Sequence, residues 1–437
     1  MLLKKILDKA MEMADSAEVH MTRSESSTIS FENSMIKESS SSDLGGVSLR
    51  VIKDGKIGFS SSSKPNDDSV ADFALQVSKQ GKNVEFSFNG SSDAKPFELE
   101  TGDFDKLTEE YLISESEGVI DNLKSVHDEA LAACSIQKNV SESKIMSSIG
   151  LDTGQKTKSI SWYCGLKHNT EGNFLHVYDF KTGDTFTGFN EIVANVKEDF
   201  EICQNNVTIE PGKYKVLFSP RGMMYLISVF TSCLSGLAVA KGISPWGDRT
   251  GEKLFDERIS VRSNLVLDDA SLRLAFDDEG TPTGITEFIE KGMLKSFYHS
   301  LDSAAQTKQT LTGHGFKGSF ASLPGASAFG IEIAPGESSV DDMMEDADIW
   351  VDDIIGAIMS NPYAGIISGN PSMSFTLEDG KKTAHIKDFM LSINVFDLFK
   401  NGIIAISKDV KQVGMPPFFP TFKAPYILVD GVSITSK

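Results

Sequence analysis

From Gly222 to Ala240 the chain runs 19 residues without a charge (GMMYLISVFTSCLSGLAVA), held between Arg221 and Lys241. About 20 apolar residues suffice for a helix to cross a bilayer. This run also carries one Thr, three Ser and two Gly, and no second span of its kind occurs. It therefore reads as a helix buried in the core of a soluble domain. A chain of 437 residues can provide such a core, because the buried fraction of surface rises with length. At roughly 150 residues per domain, two or three domains are expected. Hydrophobic residues at 40% and charged residues at 24% fit a globular protein.

The apolar run divides the chain. Before it, Leu3, Ile6, Leu7, Ala10, Met13 and Ala14 follow helical spacing. GVSLRVIKDGKIGFS alternates around an Asp54-Gly55 hairpin turn. A helix near Ser69–Lys79 presents Val70, Phe73, Ala74 and Val77, and another near Thr108–Val126 presents Leu112, Val119, Leu123 and Val126. Short strands are expected over Leu131–Phe186, then a helix near Asn190–Gln204. The serine clusters at Ser24–Ser42 and Ser60–Ser63 read as loop or edge-strand material. Pro211-Gly212 marks a boundary. The expected architecture is α+β in two domains. Residues 1–210 carry helices with antiparallel strands, and residues 211–437 are strand-rich around the buried helix. In that second half, turns are expected at Glu279-Gly280, Lys291-Gly292, Asp379-Gly380 and Asp430-Gly431, and Ser339 caps a helix.

The charge balance, 42 basic against 62 acidic residues or −20, argues against a nucleic-acid ligand, which needs a basic footprint. Cys134, Cys164, Cys203 and Cys233 form no C-x-x-C and read as reduced thiols of a cytoplasmic protein. The N-terminus has no apolar signal segment.

No self-evident active site emerges from the residues. The histidines His20, His127, His168, His176, His299, His314 and His385 lack the spacing of a helical metal site and read as surface or hydrogen-bonded residues. Gly313-His314-Gly315-Phe316-Lys317-Gly318 matches G-x-G-x-x-G, but no strand precedes it and no helix follows, as a dinucleotide site requires. No G-x-S-x-G elbow occurs. The acid pairs Asp268-Asp269, Asp277-Asp278, Asp341-Asp342 and Asp352-Asp353 read as turns, caps and solvated faces, since strand neighbours point to opposite sides.

Four blocks in order resemble the TldD/PmbA metallopeptidase family, once called modulators of DNA gyrase. They are GKYKVLFSP with the apolar run, FDDEGTPTGITEFIEKGMLKSFYHSLDSAAQTKQTLTGHG, GAIMSNPYAGIISGNPSMSFTLEDGK around Asn361-Pro362, and INVFDLFKNGIIAISKDV. The N-terminal half agrees in pattern only. In this family the TldD-type subunit carries His-Glu-x-x-x-His on the apolar helix and a cysteine near the C-terminus, which bind a zinc-like metal. Here the matching positions are Ile227, Ser228 and Ser232, and PTFKAPYILVDGVSIT near the end has no cysteine. Ile227 cannot ligate a metal and Ser228 cannot act as its general base.

The resemblance thus implies a PmbA/TldE-type subunit with no catalytic residues, no metal and no other cofactor of its own. The metal would sit in a TldD-type partner, and the pair would degrade or process unfolded peptides. It implies that Thr312, Gly313, His314 and Asn361 lie at a substrate cleft. A stand-alone homodimer that captures extended peptides is the alternative. Neither nucleic acid nor a membrane is an expected partner.

Overall fold

The computed structural model describes residues 2–99, 102–170, 173–268, 271–357, 361–415 and 419–436. The first half runs α1 (Leu2–Met11), β1 (Ser16–Glu32), β2 (Met35–Lys53), β3 (Lys56–Ser62), α2 (Ser69–Ser78), α3 (Gly102–Asp105), α4 (Glu109–Lys124), β4 (Leu131–Ser147), β5 (Asp152–Thr170), β6 (Asn173–Gly183) and α5 (Asn190–Ile202). Its strands form one antiparallel sheet in the order β3-β2-β1-β4-β5-β6. The Asp54-Gly55 turn appears as expected, with φ of 50° and 72°, the left-handed pair a type I′ hairpin needs.

The strands expected to be short are long ribbons: β1 and β4 each span 17 residues, β2 and β5 each 19. The first serine cluster is not loop material. Its Ser24–Glu32 part lies inside β1, between β2 and β4, and hydroxyls pair across the strands, as Ser24 Oγ does with Asn139 Oδ1 at 2.6 Å. These ribbons run far beyond the apolar core, so no alternating pattern announces them. On α2 the buried face is Val70, Ala71, Ala74 and Ser78, while Phe73 and Val77 point outward. The helix seats its small residues against β3. Gly58 makes this possible, because a Cβ there would come within 2.0 Å of the Ala74 carbonyl.

The second half contains β7 (Asn206–Val207), β8 (Gly212–Phe218), α6 (Met223–Cys233), α7 (Gly236–Ala240), β9 (Val261–Asn264), β10 (Ile285–Glu290), β11 (Met293–Leu294), α8 (Leu301–Thr307), β12 (Gly315–Phe316) and β13 (Gly325–Ala326). It continues through β14 (Ile331–Ile333), α9 (Val340–Asp346), β15 (Ile349–Ile355), β16 (Ile366–Glu378), β17 (Lys381–Ile386), β18 (Phe389–Asn394), α10 (Val395–Asn401), β19 (Ile403–Met415) and β20 (Phe419–Ser436). A mixed sheet follows the path β11-β10-β9-β14-β20-β8-β15-β16-β17-β7, with β18 and β19 added on β16 and β20. The expected turn at Asp430-Gly431 is instead a bulge inside β20, where pairing with β8 shifts between Val429 and Val432.

The apolar run forms the centre of the second half's core, as its composition predicts. Met223, Met224, Leu226, Ile227, Val229, Phe230 and Cys233 of α6 pack with Phe255, Phe288 and Phe399. The run is not one helix, however. It breaks after Cys233, and α7 restarts where the Gly236 amide donates to the Tyr298 carbonyl at 2.8 Å. Among the described residues no helix is long and apolar enough to cross a membrane. A second core joins the halves: Leu112, Ile120, Ile192, Val196 and Phe200 of α4 and α5 pack against Trp350, Phe375 and Leu428 of the mixed sheet.

Candidate functional site

Where the two sheets meet, a cavity of about 1660 Å³ opens between β5, β6, α5, the β8–α6 turn, the end of α6 and β19. Its floor is ionic. Arg221, at the start of the apolar run, is buried and cannot lie there unpaired. Its Nη2 donates to Asp352 Oδ2 at 2.5 Å and its Nη1 to the Tyr178 carbonyl at 2.6 Å, and its guanidinium stacks 4.9 Å from the Tyr178 ring centre. Ser219 Oγ donates to the other Asp352 oxygen. Burial pushes the Asp352 carboxyl up, but Arg221 and Lys382 outweigh it and hold the group below the usual carboxylate range. Beside it Lys382 Nζ donates to Asp199 Oδ1 at 2.8 Å and sits over the Trp350 and Phe375 rings. Burial holds Asp199 above its ordinary value against the pull of Lys382. Asp353, the strand neighbour of Asp352, faces the other way and accepts from Tyr225 Oη and from Ser372 Oγ.

The acid pairs thus divide. Asp341-Asp342 opens α9 as a cap, with Ser339 accepting from the Asp342 amide. Asp352-Asp353 and Asp277-Asp278 are not solvated faces. Asp277 is sequestered in a turn, its Oδ1 accepting from the Glu279 and Thr281 amides and its Oδ2 from Gly315 N, while Asp278 accepts from Lys317 N. Asp269 lies outside the described residues.

Of the helix positions singled out by sequence, only Ser232 reaches the cavity wall. Ile227 is 3% exposed and belongs to the core. Ser228 Oγ donates to the Tyr225 carbonyl at 2.6 Å, and Ser232 Oγ and Thr231 Oγ1 both donate to the Ser228 carbonyl. Thr231 and Ser232 line the cavity. An aliphatic side chain and hydroxyls folded onto their own helix do not fit a metal ion. Among the described residues no group of three His, Cys, Asp or Glu is placed to hold one.

Thr312, Gly313, His314 and Asn361 stand elsewhere. Thr312 Oγ1 accepts from His299 N at 2.8 Å, and His314 Nδ1 donates to the Thr312 carbonyl at 2.8 Å. His314 is fully buried and hydrogen-bonded, and burial pushes its imidazole down to about 4. Gly313, at φ 69°, lets the chain pass the Pro282 carbonyl. Asn361 is exposed and caps a 3₁₀ turn at Pro362–Ala364. None of these four lines the cavity. Tyr298 links the groups, with its ring 5.8 Å from His314 and its hydroxyl donating to the Thr231 carbonyl on the cavity wall. Sequence reasoning missed Tyr178, Asp179, Asp199, Arg221, Asp352 and Lys382. One signal was available: an arginine abutting a wholly apolar run needs a buried anion, and Asp352 was a candidate.

Residues 211–436 match the family described as the PmbA/TldA metallopeptidase C-terminal domain, and residues 17–80 match domain 1 of the same family. An uncharacterized protein of Methanocaldococcus jannaschii is 27% identical over 376 residues, covering 84% of this chain and 86% of that protein. A metalloprotease of the same organism is 25% identical over 434 residues, covering 92% of each. The crystal structure of TldE from Thermococcus kodakarensis superposes with a TM-score of 0.91 at 22% identity over the whole of both chains. A proposed modulator of DNA gyrase from Thermotoga maritima gives 0.86 at 20% identity, covering 99% of this chain and 100% of that one. With more than half of its length matched by the C-terminal domain alone, this chain belongs to the PmbA/TldD metallopeptidase family.

Proposed function

We propose that the chain is a non-catalytic, PmbA/TldE-type subunit of a metallopeptidase complex that degrades or processes unfolded peptides beside a metal-bearing TldD-type subunit. The observation that carries this reading is the state of α6. Ile227 is committed to the core, and the Ser228 and Ser232 hydroxyls are committed to the helix's own carbonyls. The overall likeness to TldE supports the same assignment. A peptidase partner would supply the metal-activated water, and this chain would supply walls and contacts that hold an extended substrate.

The test is degradation of casein. Alone, the chain should leave casein intact and hold no stoichiometric zinc after dialysis. Mixed with the TldD-type subunit of its own organism, it should raise cleavage above that subunit alone and co-elute with it as a heterodimer. Chelator-sensitive cleavage by the chain alone, surviving further purification, would overturn the proposal. A stand-alone homodimer that binds peptides is the second reading, favoured by a large cavity formed within one chain. Light scattering separates the two, since only the second reading expects a self-dimer indifferent to the TldD-type subunit.

A further inference from the structure

The first sheet is left incomplete where it meets the cavity. β5 pairs with β4 from Asp152 to Lys167, but β6 joins its other edge only from Ile160 onward, because β6 ends at Gly183 opposite Ile160. Along Thr153–Lys158 that outer edge has no strand beside it. The chain leaves the sheet at Asp184, and among the described residues no other backbone group bonds to this stretch. Successive residues of a strand direct their N–H and C=O groups to opposite edges, so every second residue here presents a donor and an acceptor with no backbone partner.

The cavity occupies the missing place. Lys156, Thr157, Lys158 and Ser159 line it in unbroken succession, and so do Gly183 and Asp184, where β6 stops. Neighbouring strand residues point to opposite faces, so a cavity that meets all four wraps around the edge itself. Unlike the buried floor, this edge is open: Lys156 and Ser159 are exposed, and Thr157 and Lys158 are half-buried. Six residues rising about 3.3 Å each make a free edge about 20 Å long. As many basic as acidic residues line the cavity, so its net charge favours neither sign of ligand. The edge is more specific. It calls for a partner with alternating donors and acceptors at strand spacing, and the main chain of another polypeptide is such a partner.

We propose that an extended peptide binds as an added strand against Thr153–Lys158 of β5, in line with β6, and so completes the first sheet inside the cavity. The proposal rests on the peptide-handling reading and gives that reading a contact surface. Recognition runs through the main chain, tolerates any peptide sequence that can extend, and excludes folded segments whose backbone is already paired.

The probe is a fluorescein-labelled, C-terminally amidated decapeptide of Ala, Ser and Thr, titrated with the full chain and followed by anisotropy. N-methylation of alternate amides blocks one edge of the peptide and leaves the other free, so binding should stay within about 3-fold of the parent. N-methylation of every central amide blocks both edges and removes several hydrogen bonds, so binding should weaken at least about 10-fold. On the protein side, amide exchange read by NMR should be fast at alternate residues of Thr153–Lys158 in the free chain and slowed there by the peptide. Thr157→Pro and Lys158→Pro act on N–H groups that point to opposite edges. One breaks pairing with β4 and lowers the melting temperature, while the other sets its ring on the free edge and should weaken binding at least about 10-fold. The methylated peptides and the exchange measurement carry the test if neither variant folds. Parent-like binding of the fully methylated peptide, or a bound peptide that leaves exchange along β5 unchanged, would overturn the site while leaving the peptide-handling reading standing. Failure of the wild-type chain to bind the parent decapeptide, with and without the TldD-type subunit, would overturn both.

Discussion

Two buried arginines tie the first sheet to the second half, and their surroundings are finished in opposite ways. Arg50 of β2 donates from Nε and Nη2 to Glu18 Oε1 and from Nη1 to Glu279 Oε1, each bond at 2.9 Å or less. Around it the spare atoms are acceptors or bases: Glu18 Oε2 and His20 Nδ1 have no partner among the described residues. Around Arg221 the spare atoms are donors. The Arg50 cluster is sealed. Phe88 stacks 5.1 Å from the guanidinium, and the backbone of Gly315 passes so close that a Cβ there would lie 2.1 Å from Glu279 Oε2. The Arg221 cluster faces a cavity of about 1660 Å³. The same chemistry thus closes one junction and leaves the other facing an open cavity.

Substitutions that unbalance each cluster measure this difference. Arg50→Met strands Glu18 and Glu279 in a packed interior. Breaking a buried ion pair from one side costs about 3–5 kcal/mol, so this variant should show the largest fall in urea midpoint. Asp352→Asn also unbalances a buried pair. Asparagine keeps one acceptor, its Oδ1 for Arg221, while its Nδ2 can donate to Ser219 Oγ, and the cavity admits water, so about 1–3 kcal/mol is expected. Equal losses from the two variants would break the comparison.

The pH dependence of stability sharpens it. Burial first, and Arg50 second, push the Lys317 ammonium down to about 8 from its ordinary 10.5. Lys317 Nζ donates to Ser48 Oγ at 2.6 Å inside the sealed cluster. Between those two values an unfolded chain binds more protons at this site than the folded one, so stability rises with pH there. The wild-type curve minus that of Lys317→Met should be flat below pH 8 and climb by on the order of 3 kcal/mol up to pH 10.5. A flat difference throughout would mean that the cluster is wetter than its packing indicates.

The same contrast explains what was legible in the sequence. The α+β class, the buried helix, the hairpin at Asp54-Gly55 and the cap at Ser339 all rest on local patterns, and local patterns are written in neighbouring residues. The long ribbons β1, β2, β4 and β5 were missed because their outer parts have water on both faces and carry serine, threonine and lysine instead of an alternation. The cavity floor was missed for a different reason. Arg221, Tyr178, Asp199, Asp352 and Lys382 come from five separate elements or turns, and only the fold brings them together. Asp352-Asp353 was visible as a pair, but alternation sends its two carboxylates to different partners, one to the cavity floor and one to Tyr225.

The smallest effect is expected where the cavity edge is tied by a neutral bond. Gln412 of β19 donates from Nε2 to the Thr182 carbonyl of β6 at 3.0 Å, bridging the two sheets beside the open volume. Gln412→Leu removes this donor without leaving a charge behind. The Thr182 carbonyl lies on the cavity wall, where water can replace the lost partner. The cost should therefore be no more than about 1 kcal/mol. Ser48→Ala is the matched change in the sealed cluster, since it too deletes one neutral partner, here the acceptor of Lys317 Nζ. That loss leaves a partly buried ammonium short of an acceptor and should exceed the Gln412→Leu loss by about 1–2 kcal/mol. Denaturation of both variants under one set of conditions compares them directly. A Gln412→Leu loss as large as that of Ser48→Ala would show that water does not reach the β6 edge, and the cavity could not then be the open side of this junction.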